Sequence, residues 1–337
     1  MRQVGAAWVR AGHNVRILCC NEGWRLPERE NLDGIEVLRQ GRRATAPGTI
    51  AIRSRSHMRW ANVVIENLLE IPLLAPLYAR KPLFTLCHHL MGKQWFSVVP
   101  LPQALVGYLA ERILPFVYRG ARFIVPSDAT GGDLAKLGIN PERVSVVPWG
   151  IDSQLYRPGG EKTPHPSLLF VGRTDDRRKG VDDLIAVMEA VQGRYPNAEL
   201  TIVGPGKRQR ELRKTAEGRR IRVLGFVDEA TKIRLYQESW LHLIPSAKEG
   251  FGLTAIESSA CGTPTVAYDA PGLVSVVEQL NGLRVPIGDW AAMADRVVSL
   301  IESPSLRETL AAGGLELSRR YSWEQVAKTL LDVINST

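Results

Sequence analysis

The feature that most constrains the fold is a regular alternation of short apolar segments with helical ones in the second half of the chain. A helical segment such as residues 181–195 places apolar side chains three or four positions apart, on one face. The apolar strand candidates of this half are residues 168–171, 199–203, 221–224, 241–244, 264–267 and 283–285. Strand then helix, repeated, predicts an α/β fold with a doubly wound parallel sheet covered on both faces.

The first half repeats this pattern less clearly. Its strand candidates are residues 15–20, 35–39, 63–66, 83–87, 123–126 and 144–147. The chain of 337 residues is long enough for two domains, and proline and glycine concentrate in residues 148–166, where we place the boundary. A doubly wound domain normally opens with a central strand, whereas this chain opens with a helix ending at Gly12. We therefore expect the first strand and the glycine loop after it to be missing.

The segment 101–119 is predicted to be one long apolar helix with Pro115 near its end. Apolar helices in large domains are usually buried, so we expect it to pack in the core or between domains, with insertion into a membrane as the alternative. No uncharged apolar run approaches the roughly 20 residues that span a bilayer, and we expect no signal peptide. The four cysteines have neither disulfide nor zinc spacing, which favours a reducing cytoplasm.

The net charge of +8 concentrates in residues 39–59, which include the runs RQGRR and RSRSHMR. This segment shows no aromatic interleaving, zinc spacing or recognition-helix pattern, so we expect no nucleic-acid partner. Two interpretations stay open: a solvated basic loop, or a contact with an anionic membrane or a lipid-linked substrate. We expect a cytoplasmic protein, with peripheral attachment to the inner face of the membrane as the further option.

Residues 245–264 carry two carboxylates, Glu249 and Glu257, around a glycine-rich turn that leads into a helix of small residues. The turn follows a predicted strand, and ligands of open α/β sheets bind at the carboxyl ends of strands. Free N–H groups at a helix N-terminus suit a phosphate, and Gly250 and Gly252 let the backbone approach a ligand. Carboxylates beside a phosphate are better placed to accept hydrogen bonds from hydroxyls. Phosphate next to hydroxyls indicates a sugar nucleotide.

Residues 170–180, FVGRTDDRRKG, form a second motif of the same kind. A predicted strand ends at Gly172, and Arg173 and Lys179 precede the next helix. Two cations on one strand-to-helix loop can clamp a diphosphate and neutralise the charge of a leaving nucleotide. Taken alone, they are also compatible with ordinary surface residues. Their place at a strand end of the same sheet as the glutamate-rich loop favours the binding interpretation.

Together these residues resemble the family 4 retaining glycosyltransferases (glycosyl transferases group 1) of the GT-B fold. The motifs that carry the resemblance are RAGHNVRIL (10–18), IVPSDATGGDLAKLG (124–138), VSVVPWGID (144–152), VGRTDDRRKGVDDLI (171–185), AELTIVGPG (198–206), IPSAKEGFGLTAIESSACGTPTVA (244–267), NGLRVP (281–286) and YSWEQVA (321–327). Glu249 and Glu257 match the E-x7-E motif of the family in spacing. The resemblance implies two Rossmann-like domains facing a cleft, an acceptor-side domain at 1–150 and a donor-binding domain at 151–320. A C-terminal helix at 321–337 would return to the first domain.

The resemblance also implies roles for individual residues. Arg173 and Lys179 match the pair that binds the donor diphosphate and stabilises the leaving group, Glu249 the residue near the transferred sugar, and Glu257 the residue that holds the ribose hydroxyls. Arg173, Lys179 and Glu249 would be the catalytic residues. The implied donor-binding residues are Gly172, Phe226, Gly250, Phe251, Gly252, Leu253, Thr254 and Glu257. The donor would be a UDP- or GDP-sugar, the sugar would move with retention of configuration, and neither a metal nor a cofactor would be needed. The resemblance leaves the acceptor open among glycans, lipids and small molecules.

His88 and His89 end the predicted strand at 83–87. Histidines in this position serve as proton acceptors, sugar contacts or plain strand ends, and the family resemblance favours an acceptor-side role with His88 foremost. The acidic pair Asp175–Asp176 lies beside three cations and is not expected to bind a metal. Residues 271–283 depart from the family pattern because they lack its acidic residue near Ser275. A non-catalytic nucleotide-sugar-binding remnant and an epimerase or phosphorylase of the same fold remain the alternatives.

Overall fold

The computed structural model describes residues 1–21, 26–41, 46–53, 55–68 and 72–336. The chain divides into two compact units. Unit 1 comprises Met1–Pro148 and Trp323–Thr337, and unit 2 comprises Trp149–Ser322. The C-terminal helix, Trp323–Asn335, therefore belongs to unit 1, where the indole N–H of Trp8 donates to the carbonyl of Ala327 at 2.9 Å.

The described residues of unit 1 place its strands in two sheets. The strands are β1 (Arg16–Cys19), β2 (Arg29–Leu32), β3 (Ile35–Arg39), β4 (Val64–Leu68), β5 (Leu83–Cys87), β6 (Arg122–Val125) and β7 (Val144–Val146). One sheet has the order β1-β3-β2 and the other β4-β5-β6-β7. All pairs are parallel except β2 with β3, which are antiparallel. The sequence pattern did not reveal β2, the strand that departs from the parallel arrangement.

The hairpin that joins β2 to β3 explains this difference. Asp33 and Gly34 form its two-residue turn, with φ values of 55° and 83°. Positive φ at both turn positions suits the twist of an antiparallel hairpin, and Asp-Gly is a favoured dipeptide there. Alternate residues of β2 are exposed, so the strand lacks the apolar run used to find the others. The Asp-Gly dipeptide was the available signal.

The helices of unit 1 before the C-terminal one are α1 (Arg2–Arg10), α2 (Ala46–Arg53), α3 (Arg55–Trp60), α4 (Trp95–Val98), α5 (Leu101–Arg112), α6 (Leu114–Val117) and α7 (Asp128–Lys136). The predicted single helix at 101–119 is thus two helices, because Pro115 lies in the first turn of α6 and cannot continue the hydrogen bonding of α5. The prediction that this segment is packed is also wrong for one face, which is exposed to solvent. Among the described residues, none of the helices has the length and apolarity to cross a membrane.

Unit 2 contains one six-stranded parallel sheet. Its strands are β8 (Ser167–Val171), β9 (Glu199–Val203), β10 (Ile221–Gly225), β11 (Leu241–Ile244), β12 (Thr265–Tyr268) and β13 (Leu283–Val285). Its helices are α8 (Val181–Arg194), α9 (Gln209–Ala216), α10 (Glu229–Glu238), α11 (Leu253–Ala260), α12 (Val274–Gln279), α13 (Trp290–Glu302) and α14 (Pro304–Ser318). All six strands predicted for this half are confirmed, with ends shifted by one residue at most.

Two separate apolar cores cover the sheet of unit 2. One contains Val187 and Met188 of α8, and the other contains Ala255 and Ile256 of α11. The strand order is β10-β9-β8-β11-β12-β13, so chain progression reverses between β8 and β11. In a doubly wound sheet this reversal opens a crevice at the carboxyl ends of the two strands. The loops after β8 and β11 meet at this point.

Candidate functional site

The loops after β8 and β11 are locked to each other. The amide of Ala247 donates to the carbonyl of Arg178 at 2.7 Å, which ties one loop to the other. Gly180 has φ of 63°, and a Cβ atom there would lie 2.0 Å from the carbonyl oxygen of Pro245. Only glycine permits this close approach with positive φ. The two predicted motifs are therefore held together by backbone contacts at the reversal point of the sheet.

Lys179 and Glu249 form an ion pair across these two loops. The ammonium of Lys179 donates to Oε1 of Glu249 at 2.7 Å and to Oε2 at 2.8 Å. Their side chains are 23% and 14% exposed, so the pair is largely shielded from water. The structure thus brings together two of the three residues predicted to be catalytic.

Arg173 lies on the loop after β8 and points to solvent. Its guanidinium pairs with the Asp175 carboxylate at 3.0 Å, and the arginine side chain is 63% exposed. Gly172, just before it, donates its N–H to the carbonyl of Val203 at 2.9 Å. A Cβ atom on Gly204 would lie 1.9 Å from the Gly172 carbonyl oxygen, so the backbone here is closely packed. Arg173 therefore extends an exposed cationic side chain from a closely packed backbone.

Both residues of the acidic pair on the loop after β8 form ion pairs with arginines. Asp175 pairs with Arg173, and Asp176 pairs with Arg178 at 2.6 Å. Burial alone would raise the pKa of Asp176, but the Arg178 guanidinium lowers it below its ordinary value. Within the part of the chain that the structure describes, no group of three or more His, Cys, Asp or Glu side chains is placed to hold a metal ion.

The second loop runs from Glu249 into helix α11. Gly252 precedes the helix with φ of 85°, and no side chain caps the helix N-terminus. A Cβ atom on Gly252 would lie 2.5 Å from Leu273, and one on Gly272 would lie 2.1 Å from the Glu249 carbonyl oxygen. Phe251 is buried, with its ring edge-on to Tyr321 at 6.0 Å between centroids, whereas Leu253 is 38% exposed and Thr254 half-buried. The loop therefore presents backbone N–H groups at a helix N-terminus, which suit an anion.

Glu257 lies on α11 and is held by three side chains that the sequence did not single out. It accepts hydrogen bonds from the hydroxyls of Tyr156 at 3.1 Å and Tyr236 at 3.0 Å, and from the ammonium of Lys232 at 3.2 Å. Burial raises the pKa of Glu257, while Lys232 and the tyrosines oppose this shift. Lys232 and Tyr236 are four residues apart and share one face of α10, which was the available sequence signal.

Phe226 directly follows β10 at the same edge of the sheet. Its side chain is 80% exposed, and Gly225 before it has φ of 78°. The exposed ring provides a flat surface on which another ring can stack. The predicted contact of Phe226 with the base of the donor stays a prediction.

His88 and His89 belong to unit 1, after β5. Nε2 of His88 lies 2.6 Å from the side-chain oxygen of Asn67. Burial, with smaller contributions from His89 and the N-terminal amine, lowers the pKa of His88 to about 4. His88 is half-buried and neutral near pH 7, while His89 is exposed. Their predicted acceptor-side role stays a prediction.

Comparison with known proteins defines the class. The family model described as "Glycosyltransferase Family 4" matches residues 1–155, and the model described as "Glycosyl transferases group 1" matches residues 165–303. The fold is that of sucrose-phosphate synthase from Thermosynechococcus elongatus, with a TM-score of 0.82, 22% identity, and coverage of 99% of this chain and 92% of that one. HepE from Anabaena, solved with UDP and glucose, gives a TM-score of 0.73 at 21% identity over 90% of this chain and 87% of that one. The protein has the GT-B fold, with two Rossmann-like domains.

Curated relatives agree on the family. A phosphatidyl-myo-inositol mannosyltransferase of Mycobacterium leprae is 35% identical over 61% of this chain and 54% of the relative. A D-inositol 3-phosphate glycosyltransferase of Segniliparus rotundus is 31% identical over 68% of this chain and 55% of the relative. The chain thus spans about half the length of the curated relatives it matches. It belongs to glycosyltransferase family 4, the glycosyl transferases group 1.

Proposed function

We propose that the chain transfers a sugar from a nucleoside diphosphate sugar to a hydroxyl acceptor, with retention of configuration and without a metal ion. The observation that carries this proposal is the Lys179–Glu249 pair at the reversal point of the unit 2 sheet. It places a cation for phosphate and a carboxylate for sugar hydroxyls side by side. The uncapped N-terminus of α11 and the exposed Arg173 lie on the same two loops.

The diphosphate is the group that Arg173, Lys179 and the α11 N-terminus would bind. Charge-assisted hydrogen bonds from two cations and backbone N–H groups stabilise the negative charge that develops on the leaving phosphate. Such stabilisation commonly contributes about 3–4 kcal/mol per donor to the lowering of the barrier. These cations would do the work that a divalent ion does in other transferases, which is why we propose metal independence.

Glu249 would accept hydrogen bonds from hydroxyls of the transferred sugar. Because Lys179 neutralises this carboxylate, a diphosphate can lie beside it without strong repulsion. We propose transfer at the front face of the donor, through an oxocarbenium-like ion pair. In it the departing phosphate oxygen accepts the proton of the acceptor hydroxyl while the new C–O bond forms on the same face. Retention follows from this geometry.

The nucleoside would lie between Glu257 and Phe226. A carboxylate held by two tyrosines and a lysine is well positioned to accept hydrogen bonds from both ribose hydroxyls, and Phe226 offers a face for the base. Support for a UDP-sugar comes from HepE, whose structures contain UDP and UDP-glucose. A GDP-sugar is the second option that we propose to test.

The acceptor and the cellular site belong to the same proposal. Several relatives are named as inositol or phosphatidylinositol glycosyltransferases, so inositol-containing acceptors are the first to test. We propose a cytoplasmic protein that contacts the inner face of the membrane, for which the sequence suggested residues 39–59. Arg39 does not contribute to such a contact, because it is buried and pairs with Glu30 at 2.6 Å. Arg59 is exposed and remains a candidate.

The test is a transfer assay with UDP-glucose, UDP-N-acetylglucosamine and GDP-mannose, with and without inositol acceptors and in the presence of a chelator. We expect nucleoside diphosphate release and a new glycoside with the anomeric configuration of the donor. Arg173→Ala and Lys179→Ala should abolish transfer while circular dichroism shows that both variants remain folded. Arg210→Ala, which removes an exposed cation on α9, is the matched control and should retain activity. Turnover in the Lys179 variant, or an inverted product, would contradict the proposal, and donor binding without turnover would favour the non-catalytic alternative.

A further inference from the structure

Helices α5 and α6 present an apolar face to solvent. Six large apolar side chains on this face are between 39% and 69% exposed: Leu101, Leu105, Val106, Leu109, Ile113 and Phe116. Leu101, Leu105 and Leu109 follow one another at intervals of four, so they form a continuous stripe along α5. Exposed apolar patches of this kind mark surfaces that contact another molecule or a membrane. We call these six residues the apolar stripe.

The opposite face of the same helices is fixed to unit 1 by buried contacts. The Glu111 carboxylate is buried and accepts hydrogen bonds from the amides of Met91 at 2.8 Å and Gly92 at 2.7 Å, and from the indole of Trp95 at 3.0 Å. A Cβ atom on Gly107 would lie 2.5 Å from the Trp95 ring, so the helix packs directly on that ring. Helix α5 cannot rotate to bury its stripe without breaking these bonds.

Tyr118, just after α6, provides a second anchor. Its hydroxyl donates to the buried Glu66 carboxylate at 2.8 Å and accepts from the amide of Leu74 at 3.1 Å. Leu114 and Tyr118 are fully buried, while Ile113 and Phe116 beside them are exposed. Both helices are therefore held with their buried residues inward. These contacts fix the apolar stripe in its exposed position.

The exposed charged residues of the segment 101–120 are both arginines. Arg112 and Arg119 are exposed at its edge, and Arg112 lies 5.0 Å over the ring of Tyr108. The only acidic residue from 101 to 120 is Glu111, which is buried. Phe96, 45% exposed, contacts Tyr108 with 5.5 Å between ring centroids. Apolar side chains with arginine and aromatic residues at the margin are typical of helices that lie in a membrane interface.

The net charge of the whole chain is also concentrated in this unit. Unit 1 contains 20 Lys and Arg against 13 Asp and Glu, whereas unit 2 contains 23 against 22. Unit 1 thus accounts for seven of the eight net positive charges. Each cation near an anionic leaflet contributes roughly 1 kcal/mol to attraction, so the net charge favours unit 1 over unit 2 on such a surface.

We propose that the apolar stripe of α5–α6 is a docking surface for an anionic lipid bilayer, into which its side chains insert to a shallow depth. This surface differs from residues 39–59. The proposal rests on exposure and charge and does not depend on the enzymatic activity. A protein partner or a second copy of the chain would bury the same side chains, but neither accounts for the one-sided positive charge as directly.

The test is flotation of the full chain with vesicles of phosphatidylcholine, alone or mixed with phosphatidylglycerol, at low and high salt. We expect binding to the mixed vesicles, weakened by salt, and about tenfold weaker binding of Leu105→Gln/Leu109→Gln, because two Leu side chains lose their transfer free energy. The matched control is Leu155→Gln/Ile287→Gln in unit 2. Leu109 and Leu155 are both 52% exposed, and Leu105 and Ile287 are both 48% exposed. The control should bind like the wild type.

Circular dichroism and nucleotide affinity establish that each variant is folded. Equal vesicle binding by the stripe variant and the wild type would overturn the proposal. The proposal would also be overturned if the wild-type protein does not bind vesicles but self-associates through the apolar stripe. That result would assign the surface to a second copy of the chain. Arg59→Gln separates the two candidate surfaces, and loss of binding in that variant alone would assign the contact to residues 39–59.

Discussion

Lys179 reaches Glu249 across 70 residues of sequence, with its ammonium 2.7 and 2.8 Å from the two carboxylate oxygens. The pair joins the loop after β8 to the loop after β11, the two central strands of unit 2. Each residue therefore has a structural partner as well as a proposed chemical role. Substitution of either residue therefore tests both its structural contact and its proposed chemical role.

We expect the Lys179–Glu249 pair to be coupled in stability. Removal of one partner leaves the other charge poorly solvated, so Lys179→Met and Glu249→Gln should each cost about 1–3 kcal/mol of unfolding free energy. The double variant should lose less than the sum of the two. Urea denaturation of the four proteins gives the coupling energy directly. Strictly additive losses would show that the ion pair contributes nothing to the loop geometry.

Tyr236 should act as a positioning residue for Glu257. Its hydroxyl donates to that carboxylate at 3.0 Å, so Tyr236→Phe should weaken nucleoside diphosphate binding by about tenfold, the cost of one charge-assisted hydrogen bond. The effect should be smaller for the 2′-deoxy nucleotide, which lacks a hydroxyl for Glu257. Tyr195→Phe is the control, because Tyr195 donates to Glu302 at 3.1 Å outside the site. Equal losses for both nucleotides in calorimetry would contradict the positioning role.

The raised pKa of Glu257 predicts opposite pH trends for stability and binding. Folding favours the protonated form, so the stabilising contribution is complete below the ordinary value of 4.5 and is lost as pH rises through the raised value. Nucleotide binding uses the carboxylate and should weaken as pH falls through that same raised value. Glu257→Gln should remove both trends, as measured by urea denaturation and calorimetry between about pH 4 and 7. A wild-type profile without this dependence would contradict a raised pKa of Glu257.

The sequence predicted the sheet of unit 2 well because β8, β9, β11 and β12 are buried along nearly their whole length and read as short apolar runs. It failed at β2, where alternate residues are exposed and only the Asp33–Gly34 turn marks the hairpin. It also failed at residues 101–119. An apolar helix is predicted to be buried, and composition does not reveal that Glu111 and Tyr118 are the side chains that anchor it.

The sequence likewise revealed some residues of the candidate site and missed others. Glu249 and Glu257 were found because their spacing within one short segment is visible in the sequence. Tyr156 lies 101 residues from Glu257, and nothing local marks it as a partner. The pairing of Lys179 with Glu249 likewise depends on β8 lying next to β11, which follows from the strand order and not from either motif. Site residues that are distant from each other in the sequence can be paired only once the tertiary structure is known.

Gly180 should be the least replaceable glycine of the site. Its φ is 63°, and a Cβ atom at this position would lie 2.0 Å from the Pro245 carbonyl oxygen, so Gly180→Ala strains the backbone and forces the two loops apart. We expect a loss of about 2 kcal/mol or more in unfolding free energy, together with loss of donor binding. Gly193→Ala is the control, because Gly193 lies in α8 with open space around it and should gain about 0.5–1 kcal/mol. Thermal melts and nucleotide titration of both variants check this, and a Gly180→Ala protein that binds donor normally would show that the contact between the loops is dispensable.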